Sequence, residues 1–134
     1  MDLSGMKLAW GGTDYNYGHV FLSGTIAAGG CFIVGGPKSD ESNGLPSLNQ
    51  AYDFEPDIQN SGTTADGVAL LQEDVILDAV IYGKDNSSGL LDESGLPGNV
   101  DIGKAPKGNS LLRTELGTWI HNPTPNAESC KVIQ

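Results

Sequence analysis

An acidic segment carries the side chains best suited to bind a metal ion. Residues 85–93, with the sequence DNSSGLLDE, place several side-chain oxygens at short spacing, as calcium prefers. The segment departs from the EF-hand pattern, because the position of the bidentate glutamate falls at Leu96. A merely solvated acidic surface is the alternative interpretation, and no other cofactor is expected. The candidate calcium ligands are Asp85, Ser87, Asp92 and Glu93.

A second segment, residues 10–17, mixes aromatic and polar side chains in the way that sugar-binding loops do. We expect Trp10 to fill the core, because large rings dominate the packing energy of a β-sandwich. Tyr15 and Tyr17 stay open as contacts for a ligand or a partner.

Catalytic patterns fail on their spacing. His19 and His121 lie far apart, and no Gly-x-Ser-x-Gly elbow accompanies them. The glycine-rich run before Lys38 is interrupted by Pro37, and no helix is predicted after it, so it does not form a phosphate loop. We therefore expect no catalytic residue and predict that the chain is not an enzyme.

The net charge of the chain limits the classes of partner that it is expected to bind. The 134 residues carry a formal net charge of −10, and the few basic residues are spread out. Nucleic acid and anionic membranes both require a basic face, so neither is an expected partner. No apolar run approaches the roughly 20 residues of a membrane span. The sequence does not begin with the pattern of a secretory leader, and removal of such a leader is an alternative that the sequence leaves open.

The two cysteines do not make a disulfide framework. Cys31 begins the apolar run Cys31–Val34, which favours a buried free thiol. A bond to Cys130 is the alternative, and it requires an oxidising compartment.

Frequent turn residues divide the chain into short β-type runs. The 19 glycines and 7 prolines exclude long helices in nearly every window, which indicates an all-β fold. The β-branched run Val75–Tyr82 gives the strongest strand signal. The other predicted strands are Met6–Trp10, Gly18–Leu22, Cys31–Val34, Gly67–Leu71, Ser110–Thr114 and a last one around Trp119–His121.

Two long polar stretches separate the strands, Pro37–Thr64 and Gly83–Gly108. Each exceeds the usual loop of a compact domain, so each is a functional surface or partly disordered. The second is poorer in apolar residues and is the better candidate for mobility.

Several short motifs follow one another in a fixed order. They are Asp2-Leu3-Ser4-Gly5 with Lys7-Leu8 and Trp10, then Thr25–Val34, Gly67–Leu71, Val75–Gly83, Gly108–Arg113, Trp119 and Thr124-Pro125-Asn126. The ordered set covers nearly the whole chain and resembles the lamin tail domain family, in particular its bacterial type. The resemblance implies a single domain over residues 1–134, with an immunoglobulin-like β-sandwich fold and long loops. It also implies a non-catalytic interaction or scaffold module of a secreted or cell-surface assembly.

Two departures from the family pattern bear on the partner. Met6 stands where the family has an aromatic residue, and the opening strands that should precede Asp2 are missing. A sheet without them has an open edge, which favours a protein partner or self-association by strand addition. The chain could also begin inside the domain, or cover its own edge with a loop. A glycan- or calcium-dependent binding module at the cell surface is the alternative function.

The resemblance gives the signature residues structural roles. It implies that the guanidinium of Arg113 lies across a carboxylate or backbone carbonyls, with an anion contact as the alternative. Asp78 is the natural partner, because an unpaired carboxylate inside an apolar strand is costly. The signature residues are Trp10, Asp78, Tyr82, Arg113 and Trp119.

Overall fold

A computed structural model describes residues 1–36, 47–60 and 62–125 of the chain. Over these residues the structure contains eight β-strands and no helix. The strands are β1 (Met6–Gly11), β2 (Gly18–Phe21), β3 (Val34–Gly35), β4 (Gln50–Ala51), β5 (Asp66–Gln72), β6 (Val75–Tyr82), β7 (Ser110–Arg113) and β8 (Trp119–Asn122).

The chain divides into two compact units that alternate along the sequence. One unit comprises Met1–Asp2, Thr25–Phe54 and Ala105–Gln134. The other comprises Leu3–Gly24 and Glu55–Lys104, and we call it the sheet unit because it holds the only four-stranded sheet of the described residues.

The four-stranded sheet has the strand order β2-β1-β5-β6, and every neighbouring pair is antiparallel. A two-residue turn joins β5 to β6, so their apolar runs pair directly, with one register shift after Leu70. The central pairing, β1 with β5, joins segments distant in sequence and places Ala9 opposite Ala69. Ala79 lies opposite Ala69 on the far side, so alanines follow one another across the middle of the sheet.

These small side chains leave room for larger groups to cover one face of the sheet. Ala9 and Ala69 belong to one buried cluster with Tyr15 and Leu90, and both alanines are almost fully shielded from solvent. Leu90 comes from the stretch Gly83–Gly108, which the sequence favoured as mobile. That expectation is wrong for this part of the stretch, because Leu90 is 1% exposed.

A network centred on one amide orders the same stretch. The Asn86 side chain donates to the carbonyls of Leu90 and Gly98, both at 2.9 Å, and accepts from the Leu90 amide at 2.8 Å. Asp101 then ties the stretch to the sheet, since its carboxylate accepts from the Ile81 amide at 2.8 Å. The low apolar content of the stretch did not show this order, which depends on the polar side chains of Asn86 and Asp101.

The other unit contains two short pairings. Strands β3 and β4 run parallel, and β7 and β8 form an antiparallel pair in which Arg113 lies opposite Trp119. The predicted strand Cys31–Val34 is wrong in its extent, because pairing begins only at Val34. The Asn49 side chain explains the shift, since it accepts from the Ile33 amide at 2.8 Å and occupies that amide.

Cys31 contradicts the buried free thiol expected from its apolar neighbours. The residue is exposed, and its sulfur is in a disulfide. The other cysteine of the sequence, Cys130, lies outside the described residues.

The predicted all-β class is confirmed, and the several sheets are consistent with a β-sandwich. The predicted strands of the sheet unit agree with the structure to within one residue at each end. The parallel pairing of β3 with β4 was not predicted. The immunoglobulin-like arrangement and the single domain stay predictions. Among the described residues, no helix is long and apolar enough to cross a membrane.

Gly18 should be the least replaceable glycine of the sheet unit. A Cβ atom built on Gly18 would lie 2.4 Å from the fully buried Trp10 ring, so Gly18→Ala forces the indole or the strand to move. We expect a loss of about 1–3 kcal/mol in the free energy of unfolding, measured by urea denaturation. Gly103→Ala is the matched control, because nothing lies within 4 Å of its added methyl group. Equal stability of the two variants would show that the close approach to Trp10 is wrong.

Candidate functional site

A polar cleft of about 740 Å³ opens at one end of the sheet unit. Its walls are the segment 11–17, which joins β1 to β2, and residues 59–60 and 62–64, which precede β5. Ser61 lies outside the described residues. The lining side chains include Thr13, Asp14, Asn16, Tyr17, Gln59, Asn60, Thr63, Thr64 and Asp66.

Tyr15 anchors the first wall to the core. Its backbone has a φ of 57°, in the left-handed region that bulky residues avoid. This conformation accompanies a ring that is 6% exposed and belongs to the core cluster. The Tyr15 hydroxyl donates to the carbonyl of Leu91 at 2.8 Å. The tip of the wall is therefore held both by packing and by a hydrogen bond.

Asp14 and Tyr17 fix the rest of the first wall. The Asp14 carboxylate accepts from the Asn16 amide at 3.1 Å, which closes a short side-chain turn. The Tyr17 amide donates to the carbonyl of Trp10 at 3.0 Å, so the wall returns to the sheet at that point. Asn16 and Tyr17 project from this fixed backbone with exposed side chains.

Two buried rings hold the second wall. The Trp10 indole donates to the carbonyl of Pro56 at 3.1 Å, and the Tyr82 hydroxyl donates to the carbonyl of Gln59. Both rings are buried in the sheet unit, so the backbone before β5 is fixed at two points. Burial, and then the charge of Asp66, raise the pKa of Tyr82, so its hydroxyl remains a donor into the alkaline range.

Asp66 brings a shielded carboxylate to the cleft. It is 7% exposed, at the first position of β5. Gly12 allows this arrangement, because a Cβ atom there would lie 2.8 Å from the Asp66 carboxylate. Among the described lining residues none is basic, and the polar side chains of the cleft are carboxylates, amides and hydroxyls. It can accept and donate hydrogen bonds, and it does not attract anions.

Exposed aromatic side chains continue from the cleft along β2. Tyr17, His19 and Phe21 are exposed, and they alternate with the buried residues Gly18 and Val20. The rings of His19 and Phe21 meet edge to face with centroids 5.3 Å apart. Phe21 is 63% exposed and Tyr17 51%. We call Tyr17, His19 and Phe21 the aromatic row.

The two tyrosines proposed as contacts have different positions. Tyr17 lines the cleft with an exposed ring, and its contact role stays a prediction. Tyr15 is buried, which excludes its ring from an exposed contact surface; its role is to anchor the wall. The sequence missed this difference because a polar neighbourhood does not show which of two nearby rings turns inward.

Hydrogen bonds within the acidic segment 85–93 and to residues next to it in the fold hold its backbone. Asp92 accepts from the hydroxyl and the amide of Ser94, which lower the pKa of Asp92. Asp85 contributes its backbone carbonyl to the amides of Ser87 and Ala65. Asp85, Ser87 and Glu93 have exposed side chains. Within ranges 1–36, 47–60 and 62–125, no three His, Cys, Asp or Glu side chains form a metal-binding group. Calcium binding stays a prediction.

The signature residues take structural positions. Trp10 is fully buried, as predicted, and Tyr82 is buried at the end of β6. Trp119 is half-buried, and the guanidinium carbon of Arg113 lies 5.8 Å from the centre of its ring, a cation–π geometry. Asp78 accepts from the Ala79 amide at 3.1 Å. Asp78 and Arg113 belong to different units, and the proposed ion pair between them stays a hypothesis.

Sequence reasoning missed the second wall of the cleft. Gln59, Asn60 and Asp66 lie 42 to 49 residues from Tyr17 and form no motif with it. A weak signal was available, because Asp66 immediately precedes the predicted strand Gly67–Leu71.

Because of the Tyr15 phenol, the free energy of unfolding should decrease as the pH rises through the alkaline range. Burial, followed by the charges of Asp101, Asp92 and Glu93, raises the pKa of Tyr15 from 10.0 to about 12. The folded state then keeps a proton that the unfolded chain releases, so the free energy of unfolding falls as pH rises from 10 to about 12. Tyr15→Phe should be less stable at neutral pH by about 1 kcal/mol, through loss of the hydrogen bond to Leu91, and should show a shallower alkaline decline.

Urea unfolding at a series of pH values measures this difference. Ile81→Val is the matched control, because it removes buried volume worth about 1 kcal/mol and keeps the phenol. Its alkaline decline should equal that of the wild type. An unchanged decline in Tyr15→Phe would show that this phenol is not shielded.

Comparisons with known proteins supply no family for this chain. No family model matches it, no curated protein is similar to it, and no solved structure matches its fold. The resemblance to lamin tail domains therefore stays a prediction that depends on the ordered motifs alone.

Proposed function

We propose that this chain is a non-catalytic interaction or scaffold module that binds another protein through the aromatic row. The observation that carries the proposal is the exposure of Tyr17, His19 and Phe21, which lie along β2 and the residue before it. An exposed aromatic ring holds apolar surface in contact with water. Burying such rings against a partner is a common source of affinity at a protein interface. A partner that covers the row gains this burial.

The backbone beneath the row supports the same function. His19 and Phe21 lie opposite Ala9 and Lys7 of β1, so regular pairing with the neighbouring strand fixes their spacing. Little backbone entropy is then lost on binding, because the row is already ordered before a partner arrives. A few such aromatic anchors commonly supply most of the binding energy of an interface.

The edge position of β2 suggests how a partner could extend the contact. β2 is an outer strand of the four-stranded sheet, and β6 is the other. The end of β6 is bridged by Ile102, whereas β2 carries two of the three rings of the aromatic row, His19 and Phe21. Addition of a strand from a second copy or another protein beside β2 is the proposed mode of contact.

The proposed setting is a secreted or cell-surface assembly. The disulfide at Cys31 supports it, because such bonds persist in oxidising compartments. The net charge of −10 adds a preference for a partner with a basic face, which would also raise the rate of association.

Differential capture from the protein's native extract tests the proposal. Phe21→Ser removes a ring of the row that is 63% exposed, and Val75→Ser is the control because Val75 is 64% exposed on a different strand. We expect the wild type and Val75→Ser to retain the same partner, and Phe21→Ser to bind it at least tenfold more weakly. Quantitative mass spectrometry of the bound fraction, followed by titration with the purified partner, gives both results.

The solution mass of the purified chain distinguishes self-association from binding of another protein. A dimer by light scattering that dissociates in Phe21→Ser identifies a second copy as the partner. Capture and mass that do not differ among the wild type, Phe21→Ser and Val75→Ser would contradict a binding role for the row.

A further inference from the structure

We propose that the polar cleft binds a neutral saccharide, with one pyranose ring resting on Tyr17. This is a second binding site, beyond the protein partner of the aromatic row. Its inner surface is formed by different side chains, and Tyr17 is the one residue that the cleft shares with the row. The volume of about 740 Å³ falls within the usual range of roughly 300–1,000 Å³ for small-molecule sites.

The chemistry of the lining favours hydroxyl groups. Each sugar hydroxyl donates one hydrogen bond and accepts others, so it is best matched by side chains that do both. Carboxylates accept, primary amides donate and accept at fixed spacing, and threonine hydroxyls adapt to either need. The cleft presents all three types in Asp14 and Asp66, in Asn16, Gln59 and Asn60, and in Thr13, Thr63 and Thr64.

Tyr17 adds the apolar surface that a sugar ring needs. The two faces of a pyranose carry C–H groups, which pack on an aromatic ring while the hydroxyls around the edge bond to polar neighbours. Tyr17 is 51% exposed and lines the cleft beside Asn16 and Asp14. The phenol and the polar groups are therefore available to the same ligand.

The cleft is built before a ligand arrives. Four hydrogen bonds from side chains or backbone fix its walls: those of Tyr15 to Leu91, Trp10 to Pro56, Tyr82 to Gln59, and the Tyr17 amide to Trp10. A weakly bound neutral ligand gains most from such rigidity, because it brings no charge to offset the entropy of ordering a loop. Tyr15, Trp10 and Tyr82 are positioning residues in this site.

The same lining disfavours the other common ligand classes. A phosphate or carboxylate ligand would meet two carboxylates and no described basic side chain. An apolar ligand would remove water from amides and carboxylates without replacing their hydrogen bonds. A neutral molecule rich in hydroxyl groups avoids both costs.

Native gel electrophoresis in the presence of soluble polysaccharides tests the proposal, because the acidic protein migrates well and binding slows it. The probes are a β-glucan, a xylan, a mannan and a galactan, with polygalacturonate as the acidic comparison. We expect at least one neutral probe to slow the wild type and polygalacturonate to leave it unaffected. Tyr17→Ala and Asn16→Ala should each raise the dissociation constant obtained from the retardation roughly tenfold.

Phe21→Ala is the matched control, an exposed aromatic residue outside the cleft lining, and it should keep full retardation. Thermal unfolding of each variant confirms that it is folded, and the exposed Asn16 provides a second test if Tyr17→Ala is unstable. Absence of retardation by every neutral probe overturns the proposal, as does retardation that survives both cleft substitutions or that only polygalacturonate produces. These outcomes are independent of the capture experiment, which depends on Phe21.

Discussion

The burial of the Tyr15 side chain is the constraint on which the sheet unit depends. Its ring fills the space above Ala9 and Ala69, and its hydroxyl reaches the carbonyl of Leu91, 76 residues away. One side chain thus joins the loop after β1 to the long segment that covers the sheet. The left-handed backbone at Tyr15 is the conformational cost of this link, of order 1–3 kcal/mol, and the packing of the ring offsets it.

Much of the sheet could be predicted from the sequence because its information is local. The run Val75–Tyr82 is rich in β-branched residues, and the two-residue turn before it sets the register with β5. The short strands β3 and β4 could not be assigned in the same way. Their pairing depends on Asn49, whose side chain occupies the Ile33 amide, and a single asparagine carries no strand signal.

In the candidate site, too, the local features could be predicted from the sequence and the long-range contacts could not. The segment 10–17 was recognisable from its mixture of rings and polar groups, and Tyr17 does line the cleft. The inward turn of Tyr15 depends on the space left by alanines of two other strands, so no local pattern could show it. The backbone of Gln59 is held at the cleft by the hydrogen bond that its carbonyl accepts from the Tyr82 hydroxyl. This contact forms only when β6 has paired in the sheet.

The alternation of the two units along the sequence has a kinetic consequence. The centre of the sheet forms when β1 pairs with β5, and Met6 lies opposite Gln72, so about sixty intervening residues must close as a loop. During synthesis, β1 and β2 leave the ribosome long before β5. Until then the hairpin exposes Leu8, Trp10 and Val20, and it is open to pairing with other chains. Folding should therefore be slow for a chain of this size. Pairing of the unfinished hairpin with other chains, which rises with protein concentration, should be most frequent before β5 is synthesised.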